Sequence, residues 1–261
     1  MTLPKEDLEQ LRHAKQLLEN PGLAAKFSSV LGAPFEKGMK MLPAKWQKSV
    51  HTATEAALMK ALDVAVRSLG SKGPSSSTND KMHRLAAAAS GAAGGAFGIT
   101  AIGIELPIST TLILRSIAEI AAAQGEDPRQ IETRLACITV FALGSSKDRR
   151  DNAAESGYFA ARAALAGAVS EATRYLAEKG LGKSGAPALV RLIALIASRF
   201  GIVVSQKAAA QMVPVIGAAG GAIINTIFIG HYQDMARGHF IVRRLEKIHG
   251  TEPVRLAYEK L

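Results

Sequence analysis

With 261 residues, the chain can form one large or two small domains with a sizeable core, and its 48% hydrophobic content excludes a disordered protein. Lys and Arg outnumber Asp and Glu by 32 to 22, a formal net charge of +10 that favours an anionic lipid surface or another polyanion as partner, or serves solubility alone. The single cysteine, Cys137, excludes an internal disulfide; it sits in an apolar run with no histidine motif beside it and reads as a buried structural thiol.

In chain order, Pro4 with Glu6 and Asp7 starts a first helix. Leu8, Leu11, Ala14, Leu17 and Leu18 carry it to about residue 19, before Pro21-Gly22. Helices at about 23–31 and 35–42 follow, and a longer one at about 44–69 gathers Val50, Ala57, Leu58, Ala61, Leu62 and Ala65 on one side. The Gly/Ser/Pro-rich residues 71–80 read as a flexible linker between an N-terminal helical region, 1–70, and a larger helical domain, 81–261. Residues 86–98 are then expected to be helical despite their glycines. Pro107 is expected to break the run, and Ser109-Thr110-Thr111 opens a strongly patterned helix to 123. A turn at 124–128 leads to a helix over 129–143, and a charged connection, 145–152, leads to a long helix over 153–179. The loop 180–185 contains Gly182-Lys183-Ser184, but Ala177 stands where a phosphate-binding loop needs glycine, so nucleotide binding is not expected. An apolar helix over 186–205 carries Arg191 and Arg199, and a final helix is expected to run to 249. Nothing alternates with period two, so the expected fold is all-α. The acidic N-terminus has no hydrophobic segment, so no signal peptide is expected there.

The hexapeptide Gly-Ala-Ala-Gly-Gly-Ala occurs at 91–96 and again at 217–222, each time inside an uncharged stretch, 85–104 and 208–230. A face made only of Gly and Ala lets two helix backbones approach closely. Gly91, Gly94 and Gly95 of the first copy and Gly217, Gly220 and Gly221 of the second are therefore the expected helix-contact positions. They should lie in one core, as two Gly/Ala-rich central segments of a multi-helix bundle. Both stretches reach the roughly 20 residues a membrane crossing needs. The first, however, is mostly Ala and Gly, the second contains Gln211, Pro214 and Asn225, and neither has Trp or Tyr at both ends. Marginal spanning helices, an interfacial or re-entrant pair, and a Gly-packed soluble core all remain open from the sequence.

The polar residues in apolar context are Glu105, Arg115 and Glu119 after the first copy, and Asn225, His231, Asp234, Arg237 and His239 after the second. A buried unpaired charge is costly, so Glu105 calls for a partner. His231 and Asp234 lie three apart on one helix face, as do Asp234 and Arg237. If the two halves meet, Glu105, His231 and Asp234 are the catalytic candidates of a metal-assisted hydrolase. Arg115, Glu119, Asn225, Arg237 and His239 would then be a binding or structural polar cluster. The competing reading makes all of them a salt-bridge network that pins the two repeats together. The pattern of two His four apart around a Glu is absent, so no resident metal and no cofactor is expected. His239, Arg243 and Glu246 share another face, beside Val242, Leu245 and Ile248; this basic helix end faces either the core or a membrane surface. Nucleic-acid motifs are missing, so nucleic acid is not an expected partner.

Four strings, 104–111, 114–121 with Gly125-Glu126-Asp127, 213–222 with Asn225, and 239–246, together resemble the EcsC protein family over roughly residues 81–258. The resemblance implies a largely helical bacterial protein associated with the cytoplasmic membrane, in a family named after a gene beside an ABC exporter. It brings no particular reaction and no catalytic residue. The resulting expectation is a membrane-associated helical protein at the inner face of the cytoplasmic membrane, peripheral or partly inserted. Its partner would be an anionic lipid surface or a membrane protein.

Overall fold

The structure is a computed structural model that describes residues 3–19, 22–41, 44–68, 80–97, 102–144, 157–179, 186–212 and 217–261. Every regular element among them is a helix: α1 Lys5–Glu19, α2 Leu23–Leu31, α3 Ala33–Met41, α4 Ala44–Ser68, α5 Asp80–Phe97, α6 Ile102–Ala123, α7 Ile131–Leu143, α8 Gly157–Lys179, α9 Pro187–Gln211, α10 Gly217–His249 and α11 Thr251–Lys260. The linker residues 71–79, the charged connection 145–152 and the loop 180–185 lie outside the described residues.

The organising element is α10, 33 residues long, or about 50 Å at 1.5 Å per residue. Its middle is buried almost all round, with Ile224, Phe228, Ile229, Tyr232, Met235, Ala236 and Phe240 enclosed alongside the polar Asn225, His231, Gln233 and His239. Helix α5 makes its most extensive contact, and α1, α6, α7, α2, α9 and α11 pack around the rest. The contact with α5 is antiparallel: Arg84 reaches Gln233, Asn225 reaches the Ala87 carbonyl, and Gly91 abuts Gly221. A Cβ at Gly91 would lie 2.2 Å from the Gly221 carbonyl oxygen, so the two hexapeptides do meet backbone to backbone. Gly220 and Gly221 are buried at this seam, while the surroundings of Gly94, Gly95 and Gly217 lie outside what is described. A second close approach occurs at Gly238, where a Cβ would stand 2.6 Å from Leu18 of α1.

Helix α4 packs on α6, α7 and α9, and its Leu58 and Leu62 join Ile113, Ile117, Leu192 and Phe200 in one core. An aromatic cluster of Phe141, Phe200, Phe228 and Tyr232 ties α7, α9 and α10 together, with centroids 5.0–6.1 Å apart. A smaller core at the other end of α10 joins Leu11, Tyr158, Phe159, Leu245, Val254 and Tyr258.

Two elements depart from the sequence expectation. Pro107 does not break the run but lies inside α6, six residues into the helix. The carbonyl that loses its intrahelical partner there is that of Gly103, which is exposed and free to bond water, and this removes much of the usual penalty. Helix α11 has no counterpart in the expected elements; Gly250, with φ +87°, turns the chain and Pro253 occupies its first turn. Cys137 is buried and its thiol is pushed up to about 12 by burial, as suits a structural thiol.

Candidate functional site

The polar residues of the central helices separate into three groups around α10. The first is a buried knot. Glu105 of α6 accepts hydrogen bonds from Lys207 Nζ of α9, at 2.9 and 2.7 Å to its two oxygens, and from Asn225 Nδ2 of α10 at 2.7 Å. Lys207 is 0% and Glu105 4% exposed; the ammonium also donates to Ser109 and lies 4.5 Å from the centre of the Phe228 ring. Burial alone would raise the Glu105 carboxyl, but the Lys207 charge and hydrogen bonds from Lys207, Asn225 and Ser109 outweigh it and hold the group below its ordinary value. Burial draws Lys207 downward by more than Glu105 lifts it. Asn225 also donates to the Ala87 carbonyl, so the knot clasps α5, α6, α9 and α10 just beyond the glycine seam. The sequence expectation that polar residues after each copy meet is realised at Glu105 and Asn225.

The second group does not join the first. His231 Nε2 bonds the Gly144 carbonyl at 2.9 Å, and Asp234 pairs with Lys26 of α2 at 3.0 Å and with Arg237 at 3.4 Å. On a helix turning about 100° per residue, His231 and Asp234 stand roughly 120° and 180° round from Asn225, which is why they face other neighbours than Glu105. Among the described residues, no three His, Cys, Asp or Glu side chains are gathered to hold a metal ion. Glu119 holds His83 of α5 at 2.9 Å, and Arg115 is exposed. Burial lowers the His231 pKa to about 4 and that of His239 well below the ordinary histidine value. Both groups are neutral when folded and take a proton more readily when unfolded. Stability is therefore complete above about pH 6.5 and is lost as pH falls toward 4, His231 alone accounting for about 3 kcal/mol. The urea midpoint should drop between pH 7 and pH 5, and His231→Asn should flatten that drop; an unchanged slope would count against a neutral buried His231.

The third group lines a cleft of about 310 Å³ between α7, α8 and α10, bounded by Glu132, Thr139, Thr173, Arg162, His239 and Arg243 and by apolar side chains. Arg162 forms a two-pronged pair with Glu246, 2.8 Å on each arm, and donates to the Tyr158 hydroxyl at 3.3 Å. That hydroxyl lies 2.9 Å from His239 Nδ1. His239 Nε2 has no hydrogen-bond partner. Arg243 reaches Glu126 through Nε at 3.1 Å, and Glu126 also holds Lys247 and Thr133. Val242 and Leu245 are buried while Ile248 is 61% exposed, so this helix end faces the core for most of its length.

Lys207 was not among the residues singled out from sequence, yet a signal for it exists. It is the only Asp, Glu, Lys or Arg between Arg199 and Asp234, as Glu105 is between Arg84 and Arg115. Two isolated opposite charges in apolar surroundings are natural partners.

An all-helical bundle pinned by a doubled glycine segment and a buried polar knot is the class these features define. The model of the EcsC protein family matches residues 5–245, and the chain belongs to that family. The match begins well before residue 81, so it takes in the N-terminal helices as well. No curated protein and no solved structure shows significant similarity.

Proposed function

We infer that this protein associates with the inner face of the bacterial cytoplasmic membrane through the end of the bundle that carries the glycine seam. The observation behind this reading is a set of exposed isoleucines. Ile104 is 77% exposed, Ile108 50%, Ile223 47% and Ile202 45%. Ile104 and Ile108 flank Glu105, Ile223 precedes Asn225 by two residues and Ile202 precedes Lys207 by five, so all four lie within about two turns of the level of the polar knot. Helix α9 continues the pattern with Val190 and Leu195, also exposed. Among the described residues, α6 and α9 are the two helices long and apolar enough to cross a membrane, and about half of each is buried within the protein. The uncharged stretches that drew attention in the sequence are instead divided: 85–104 between α5 and α6, and 208–230 between α9 and α10.

A half-buried apolar helix with isoleucines on its outer face suits shallow insertion among lipid headgroups, and the surplus of ten positive charges favours anionic lipid. Peripheral or partly inserted binding follows, with a membrane protein partner as the competing destination of the same surface.

Vesicle flotation tests it. The protein should float with phosphatidylglycerol vesicles and less with neutral phosphatidylcholine. Ile104→Asp combined with Ile223→Asp should lower partitioning tenfold or more, since each exposed isoleucine that enters the lipid contributes about 1 kcal/mol. A protein that stays at the bottom of the gradient with both lipids ends the idea of direct lipid binding.

A further inference from the structure

We propose that the cleft between α7, α8 and α10 is a binding site for one molecule of an acidic amphiphile, a singly charged oxyanion headgroup on a short apolar body. Its volume, about 310 Å³, falls at the lower end of small-ligand sites. One wall is apolar, built from Ala136, Leu143, Leu165, Ala166 and Val169. The other presents Arg162, His239 and Arg243.

The donors of that second wall are not used up inside the protein. Arg243 contacts Glu126 through Nε alone, and its two terminal nitrogens have no partner among the described residues. His239 is held by Tyr158 through Nδ1, and its Nε2 is buried without a hydrogen-bond partner. The two terminal nitrogens of the Arg243 guanidinium match a carboxylate or phosphate oxygen pair.

Charge sets the class of headgroup. Glu246 already balances Arg162, Glu126 already balances Arg243, and Glu132 adds a carboxylate to the lining. With Lys247, which also holds Glu126, three cations stand against three carboxylates, so the terminal nitrogens of Arg243 can take one negative charge and a polyphosphate is disfavoured. The apolar wall then selects an anion with a hydrocarbon body over an inorganic ion. A free fatty acid and the phosphodiester headgroup of a short-chain lipid share this chemistry. The inference is independent of the membrane reading, because His239 lies 16 residues beyond Ile223, about 24 Å along α10.

The experiment is calorimetric titration of the full chain below micellar concentrations. Decanoate, or a short-chain phosphatidylglycerol, should bind saturably at one to one, and whichever of the two binds tighter identifies the source. Decanol, decyltrimethylammonium and inorganic phosphate should each bind at least tenfold more weakly. Arg243→Gln should weaken the preferred acid about tenfold or more, while Arg243→Lys should lose less. Ala166→Phe, at an exposed position on the apolar wall, fills the cleft with no loss of a buried contact and should abolish binding. Equal affinity for the cationic and anionic decyl compounds, affinity unchanged by Ala166→Phe, or no saturable binding of either acid would overturn the proposal.

Discussion

Lys207→Met should destabilise the protein by about 3–5 kcal/mol, and adding Glu105→Gln should restore most of that loss. The single substitution leaves a carboxylate 4% exposed with Asn225 and Ser109 as its remaining partners. Its compensating charge is gone, and burial then pushes the carboxyl upward, toward the protonated form. Glu105→Gln removes the orphaned charge and keeps an acceptor for the Asn225 amide. A double-mutant cycle on urea midpoints measures the coupling directly. If the double variant loses as much as the sum of the two singles, Lys207 and Glu105 do not act as a pair and the knot is only a coincidence of packing. If it recovers, the pair contributes specificity more than net stability, since a buried ion pair is often replaceable by apolar groups at little cost.

The helical architecture was legible because its signals are local. Leu11 and Ala14 in α1, and Leu58, Ala61, Leu62 and Ala65 in α4, recur at helical spacing and are buried as that spacing requires. The doubled hexapeptide was informative because glycines at a contact serve one physical purpose, and Gly91 against Gly221 fulfils it. Pro107 misled because the proline rule describes helix interiors, and near an exposed N-terminal turn the missing N–H costs little. Glu105, a lone charge in an apolar run, needs a partner, but the partner is 102 residues away and no periodicity reports a contact at that separation. The same holds for the cleft. Thr139, Arg162 and Thr173 look unremarkable on their own helices, and only the packing of α7 and α8 against α10 sets them beside His239. Residues brought together by tertiary packing alone leave no periodicity in the chain.

Gly91→Ala should destabilise the protein by about 2 kcal/mol, although the same change in an isolated helix would stabilise it by about 1 kcal/mol. The added Cβ would fall 2.2 Å from the Gly221 carbonyl oxygen and 2.8 Å from Asn225 Cβ. The nearest obstruction is backbone, not the end of a flexible side chain, so α5 and α10 must move apart. That movement would also stretch the bond from Asn225 to the Ala87 carbonyl and loosen the approach of Asn225 to Glu105. A larger residue such as Leu at position 91 should prevent the helices from seating at all. Gly167→Ala, in the interior of α8, supplies the control, because a Cβ there meets nothing within 4 Å. It should raise stability by about 0.5–1 kcal/mol through helix propensity alone. Opposite signs for one chemical change at two helical glycines, read from thermal or urea unfolding, would show that the seam is held by backbone proximity. If Gly91→Ala instead gains stability as Gly167→Ala does, the two hexapeptides do not pack at van der Waals distance, and the repeated segment must serve some purpose other than bringing α5 and α10 together.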